Sequence, residues 1–166
     1  YAEYYCYVSC KNGGDGTGKI KMKDGTEVEE YEYYHLPGES FYAQFIPDSS
    51  SILSNIDVIT NNMIKDVINE NLINIEKLEN SKTILPNFSL KSFVLNIESN
   101  YGGNAHLLGN GISAAASFNV KYGDSIHVTI IPYEDYYIKE IKINNVIFKS
   151  NIHDREEFDI KIDCDN

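Results

Sequence analysis

The feature that most constrains this chain is that part of it repeats. "GESFYAQFIPDSSSILSNIDVI", Gly38 to Ile59, aligns without gaps on "GDSIHVTIIPYEDYYIKEIKIN", Gly123 to Asn144. The anchors are Gly38/Gly123, Ser40/Ser125, Ile46/Ile131, Pro47/Pro132 and Ile56/Ile141. Upstream, "YVSCKNGGD" matches "LNIESNYGGN", with Gly13-Gly14 over Gly102-Gly103. Downstream, "NNMI" from Asn61 matches "NNVI" from Asn144 after a shift. Ordered self-similarity of this kind points to one supersecondary unit used twice.

The chemistry of each copy agrees. Phe41, Ala43 and Phe45 alternate with Tyr42, Gln44 and Ile46, while Ile126, Val128 and Ile130 alternate with His127, Thr129 and Ile131. Period two sends successive side chains to opposite faces, as in a strand with one buried side. A proline closes each run, where a ladder donor can be spared. Tyr4, Cys6 and Val8 read as the first strand of copy one; Phe93, Leu95 and Ile97 read as that of copy two. The chain is therefore read as mostly β, with two tandem, related small sheet or sandwich modules. They cover 1–80 and 92–166, and 81–91 reads as a linker punctuated by Pro86-Asn87. Within 62–78, Ile64, Ile68, Leu72 and Ile75 recur at helical spacing. The repeat favours a turn and a closing strand near Leu72 to Ile75, and a short helix stays open there.

"NGGDGTGKIKMKDGT", Asn12 to Thr26, fits G-x-x-x-x-G-K from Gly13 to Lys19. A phosphate-binding loop needs Ser or Thr next, to hold magnesium, and a helix whose N-terminus faces the phosphates. Ile20 follows instead, and Ile20 and Met22 alternate with Lys19, Lys21 and Lys23 as in a strand. Asp24-Gly25 between alternating runs signals a hairpin. The stretch reads as a glycine-rich connection between strands, and no cofactor is expected.

Composition narrows the partners. The net charge is −11, whereas nucleic-acid binders need a basic face for phosphates, so no nucleic acid is expected. No apolar run approaches the roughly 20 residues of a spanning helix, so no membrane insertion is expected.

"VKYGDSIHVTIIPYEDYYIKEIKINNVIF", Val120 to Phe148, resembles the small β-rich repeats of bacterial secreted and surface proteins, of which internalin B-type repeats are relatives. Their pattern runs V-x-Y-G-x-S, an alternating strand, Pro, G-Y-x-I, then V-x-V-N-G. Val120, Tyr122, Gly123, Ser125, Pro132, Tyr137, Ile138, Ile141, Ile143 and Asn144 fall on it. Tyr136 and Asn145 stand where the pattern has glycine, the residue that permits positive φ. The resemblance covers about a third of the chain. It implies an extracellular structural or binding role and no enzyme activity.

Candidate sites are few. Cys6, Cys10 and Cys164 make an odd count. One reading is a disulfide, from Cys10 to Cys164 or between subunits. The other is reduced thiols, with Cys6 a small core residue aligned with Leu95. The histidines, His35, His106, His127 and His153, have no metal-ligand spacing, and no metal is expected. Carboxylates gather at Asp24, Glu27, Glu29 and Glu30 and from Asp154 to Asp165, which reads as solvated acidic faces. Tyr31, Tyr33 and Tyr34, and Tyr133, Tyr136 and Tyr137, are the candidate contacts for a ligand or partner. Aromatic faces stack on proteins or sugars, and they also pack within sheets.

The expectation is a non-enzymatic extracellular or cell-surface protein of a bacterium, structural or adhesive, with a terminally linked, self-assembling fibre subunit as one form. A protein partner or self-association goes with it. The alternatives are a phage tail-fibre or virion module, and a carbohydrate-binding module with a glycan ligand.

Overall fold

A computed structural model describes residues 4–61, 63–98, 103–107, 110–112 and 115–163. All regular elements among the described residues are β-strands. They fall into two units, Tyr1–Lys91 and Ser92–Asn166.

Unit 1 holds β1 (Cys6–Cys10), β2 (Gly18–Met22), β3 (Glu27–Val28), β4 (Tyr31–His35), β5 (Phe41–Pro47), β6 (Ser51–Thr60), β7 (Met63–Ile68), β8 (Leu72–Ile75) and β9 (Lys82–Leu90). They form a five-stranded sheet, β4-β1-β9-β6-β7, and a four-stranded sheet, β3-β2-β5-β8. The inward residues of both sheets share one core. Cys6, Val8, Cys10, Ile56, Ile84 and Phe88 come from the larger sheet; Ile20, Phe41, Ala43, Phe45 and Ile73 come from the smaller. Unit 1 is thus a β-sandwich whose alternation is the one legible in the sequence.

One expectation is corrected here, and one open choice is settled. Residues 81–91 are not a linker, because β9 is the central strand of the larger sheet, parallel to β1 and antiparallel to β6. Pro86 is tolerated there because β1 has ended beside it. In place of a ladder, the loop Lys11–Thr17 runs along β9. Lys11, Gly13 and Gly16 donate their N–H groups to the carbonyls of Ile84, Pro86 and Phe88. Phe88 N–H reaches Asn12 Oδ1 at 3.3 Å, and Leu90 N–H reaches Asp15 Oδ1 at 3.1 Å. The proline lies on a stretch where side chains take over the ladder. Nor is there a helix at 62–78. The segment is β7 and β8, paired with β6 and β5. Its isoleucines are β-branched residues suited to a pleated surface, and Ile68, Ile73 and Ile75 reach the core from two different strands.

The glycine-rich loop has a packing explanation. A Cβ on Gly14 would lie 1.9 Å from the carbonyl oxygen of Phe88, and one on Gly18 would lie 2.6 Å from the Phe88 ring. Lys19 enters β2 rather than a helix, so no helix N-terminus faces the loop. Asp24-Gly25 does turn a hairpin: Gly25 takes φ 88, and Asp24 Oδ1 accepts Thr26 N–H at 2.9 Å.

Unit 2 holds β10 (Ser92–Glu98), β11 (Gly103–Leu107), β12 (Asn110–Ile112), β13 (Ala115–Lys121), β14 (Ser125–Pro132), β15 (Ile138–Ile143), β16 (Val146–Ile152) and β17 (Glu156–Lys161). The sheets are β12-β11-β14-β17, β10-β13 and β15-β16. Val120, Ile126 and Val128 are buried, with Phe93, Leu95, Phe118, Ile130, Phe158, Ile160 and Ile162 packed around them.

Strand for strand, β1–β8 and β10–β17 pair alike. Gly18 opposes Pro47 as Gly103 opposes Pro132. Phe41 opposes Ile75 as Ile126 opposes Ile160. Gly38 and Gly123, at φ 92 and 87, donate N–H to Leu78 and Ile162 carbonyls. The carboxylates of Glu39 and Asp124 accept Leu36 and Lys121 N–H. Asn61 and Asn144, both at φ 51, open the β6–β7 and β15–β16 turns, and each hairpin carries a bulge at the same place, Val58/Ile59 and Ile141/Lys142. Asn145, at φ 64, does the work of the glycine it replaces, whereas Asp135, at φ 69, takes the left-handed conformation in place of Tyr136.

The pairing also shifts the alignment. Cys6 opposes His35 as Phe93 opposes Val120, so Cys6 corresponds to Phe93, Val8 to Leu95 and Cys10 to Ile97. Likewise Val58, not Ile56, corresponds to Ile141, and Gly18, not Gly14, to Gly103. In the two strand alignments the sequence match had slipped by two residues, the one error that leaves every side chain on its correct face.

Candidate functional site

The tyrosines of unit 1 gather on β4, the edge of the larger sheet. Alternation splits them. Tyr31, Tyr33 and His35 lie on the core side, opposite Cys10, Val8 and Cys6. Tyr34 lies on the other face, tilted against Tyr7 with ring centroids 5.0 Å apart and edge-on to Tyr5 at 6.5 Å. The core-facing row ends at an open margin. Tyr31 packs on Phe41 at 5.6 Å, while Tyr33, one step along the row, stays 59 % exposed. Tyr34 is 65 % exposed. Beside them Lys11 Nζ pairs with Glu32 Oε1 at 2.6 Å, which holds the Glu32 carboxyl below its ordinary range.

A shallow cleft of about 260 Å³ opens beside Tyr31, His35, Phe41, Tyr42, Asp24 and Ser40. At its wall Glu39 Oε2 accepts from His35 Nδ1 at 3.1 Å, and Tyr31 Oη lies 2.9 Å from His35 Nε2. In the neutral imidazole one nitrogen donates and the other accepts, so Glu39 fixes the tautomer in which Tyr31 O–H donates to Nε2. Burial pushes the Tyr31 phenol above its ordinary range. The phenol therefore stays protonated near neutral pH. It offers an aromatic face and a hydroxyl rather than an activated nucleophile. The sequence singled out the tyrosines but missed His35, Glu39 and Phe41; the i, i+4 spacing of His35 and Glu39 was the available signal.

In unit 2, Tyr133, Tyr136 and Tyr137 lie in the stretch between β14 and β15. Tyr136 N–H donates to the Tyr133 carbonyl, and Tyr137 stacks on His153 at 5.3 Å. All three rings are about half exposed.

Of the two readings left open for the cysteines, Cys6 and Cys10 agree with that of reduced thiols. Cys6 and Cys10 are free thiols with no exposure, facing the sandwich core from β1. A sulfur enclosed there cannot meet one on another chain unless the sheet opens. Burial pushes the Cys10 thiol up to about 12. Cys164 lies outside the described residues.

His127 Nδ1 pairs with Asp159 Oδ1 at 2.8 Å across β14 and β17, while Glu156 and Glu157 pair with Lys149 and Arg155. Among the described residues, no three His, Cys, Asp or Glu side chains converge as a metal site.

The fold and its exposed aromatic edge define a class, that of a tandem repeat of one small β-module. Compared with protein-family models, curated proteins and solved structures, the chain matches none.

Proposed function

We propose that this is a non-enzymatic extracellular protein of a bacterium, structural or adhesive, that engages a protein partner or another copy of itself. The observation that carries the reading is the tyrosine-rich edge strand β4. Among the described residues its outer edge pairs with no other strand, and Tyr33 and Tyr34 stand exposed on its two faces. An unpaired strand edge offers N–H and C=O groups to a partner's strand, and exposed tyrosines supply rigid contact area at small entropic cost. The tandem use of one module suits a spacer or stalk. The resemblance of Val120 to Phe148 to bacterial surface repeats supports the extracellular placement.

The test is the double substitution Tyr33→Ala with Tyr34→Ala. Both rings are more than half exposed, so stability should change by no more than about 0.5 kcal/mol. Self-association in sedimentation velocity, or retention on bacterial or host cells, should weaken about tenfold or more, as at a hot spot. Unchanged association in a folded double variant would remove the reading.

A second reading, glycan binding, is favoured by the cleft, where the rings of Tyr31 and Phe41 meet the polar groups of Asp24, Ser40 and Tyr42. Screening of immobilised glycans with the parent and with Tyr42→Ala separates the two.

A further inference from the structure

The two units differ by one strand. In unit 1, β9 fills the place between β1 and β6, and this joins the β4-β1 pair and the β6-β7 hairpin into one sheet. In unit 2 the corresponding pairs, β10-β13 and β15-β16, remain separate two-stranded sheets. Among the described residues, β10 pairs with β13 alone and β15 with β16 alone. The edges that correspond to those covered by β9 are therefore open. They are Leu95 to Ile97 on β10, the counterpart of Val8 to Cys10, and Ile141 to Ile143 on β15, the counterpart of Val58 to Thr60.

The core clusters of the two units differ in the same place. In unit 1 the β6 residues Ile56 and Val58 belong to one core with Ile84 and Phe88 of β9. In unit 2 the described core cluster takes side chains from β10, β13, β14 and β17 but none from β15. The β15–β16 hairpin is held to β17 through Phe148 on Phe158, at 5.0 Å, and the Lys149–Glu156 ion pair. At corresponding places on the first edge, Val8 is fully buried while Leu95 is only partly so; on the second edge, Val58 and Ile141 are both buried.

We propose that unit 2 is a strand acceptor: its β10–β15 slot takes an extended segment of a partner polypeptide, parallel to β10 and antiparallel to β15. The occupant's chemistry can be read from β9, which fills the matching slot. In β9, Ile84, Pro86 and Phe88 are buried at alternate positions, with the half-buried Leu85 and Asn87 between them. A matching partner presents three such residues at i, i+2 and i+4, and can carry a proline only beyond the end of β10. Main-chain hydrogen bonds supply affinity in this mode and the alternate side chains supply specificity. The proposal stands apart from the tyrosine edge of unit 1 and survives if that edge binds nothing.

The probe is a second copy of residues 81–91, "SKTILPNFSLK", fused after Asn166 of the whole chain through a flexible Gly/Ser linker. Tethering raises its effective concentration to about the millimolar range, so weak docking is visible. The control fusion carries Ile84→Asp and Phe88→Asp in the added copy only. Amide hydrogen exchange is read strand by strand. Docking of the unaltered copy should slow exchange about tenfold or more at Leu95 to Ile97 and Ile141 to Ile143, and leave β1 and β6 unchanged. The control fusion should leave all four strands as in the unfused chain. The proposal is overturned if both fusions act alike, or if only unit 1 responds. It is also overturned if β10 and β15 of the unfused chain are already as protected as β1 and β6, since the slot would then be filled from within.

Discussion

At the scale of single residues, side chains that looked available for chemistry in the sequence are spent on packing. Cys6 and Cys10 look like disulfide candidates until the fold encloses them. Neither should react with a thiol reagent in the native protein, and both should react after denaturation; rapid native labelling at either would contradict the fold. The Cys10 thiol also gives unit 1 a pH limit. Its pKa is about 12 in the folded chain against a reference of 9.0. Below pH 9 the thiol is protonated in both states and stability is complete. As pH rises from 9 towards 12 the unfolded chain loses the proton first, so stability falls, by up to about 4 kcal/mol for three pH units. Denaturant melts across that range check the sign, and Cys10→Ala should flatten the slope. Gly14 makes the complementary point. Gly14→Ala forces a methyl into the Phe88 carbonyl and should destabilise unit 1 by about 2–4 kcal/mol. Gly25→Ala meets open space and only its φ of 88 resists, so about 1 kcal/mol is expected. Comparable losses for the two variants would argue against the close approach.

At the scale of the elements, the decisive one is β9. A fragment of residues 1–80 lacks the middle of the larger sheet and should fail to fold, whereas 1–91 should fold. Dispersed amide resonances for 1–80 would refute the placement. Phe88→Ala, in a side chain 1 % exposed, should cost about 3–5 kcal/mol. The sequence hid β9 because Pro86-Asn87 is turn chemistry by local rules. Only the loop that replaces β1 alongside it makes a proline harmless in a central strand. The spacing of Ile64, Ile68, Leu72 and Ile75 left a helix open beside the strand that the repeat favoured. It matched a helix because two strands and the turn between them happened to place apolar residues about every four positions. Pairing with β6 and β5, which are remote in the sequence, settled the matter.

At the scale of the whole molecule, one topology is used twice, and among the described residues the central strand β9 joins it only in unit 1. Unit 2, with its hairpin outside the described core cluster, should exchange amides faster in β15 and β16 than unit 1 does in β6 and β7. Equal protection would mean that the ninth strand adds little. What the sequence determined by itself was the β class, the tandem repeat, the Asp24-Gly25 hairpin and the inward face of most strands. All of these rest on period-two alternation or on turn residues, which act within a few positions along the chain. It determined strand alignment only to within two residues, because a slip of two preserves every face. The tertiary structure decided what depends on contacts distant in sequence. It set the true correspondence of Cys6 with Phe93, enclosed two thiols, joined His35 and Glu39 to Tyr31, and turned an apparent linker into a core strand. A central strand is defined by the neighbours on its two edges, and no local pattern records who those neighbours are.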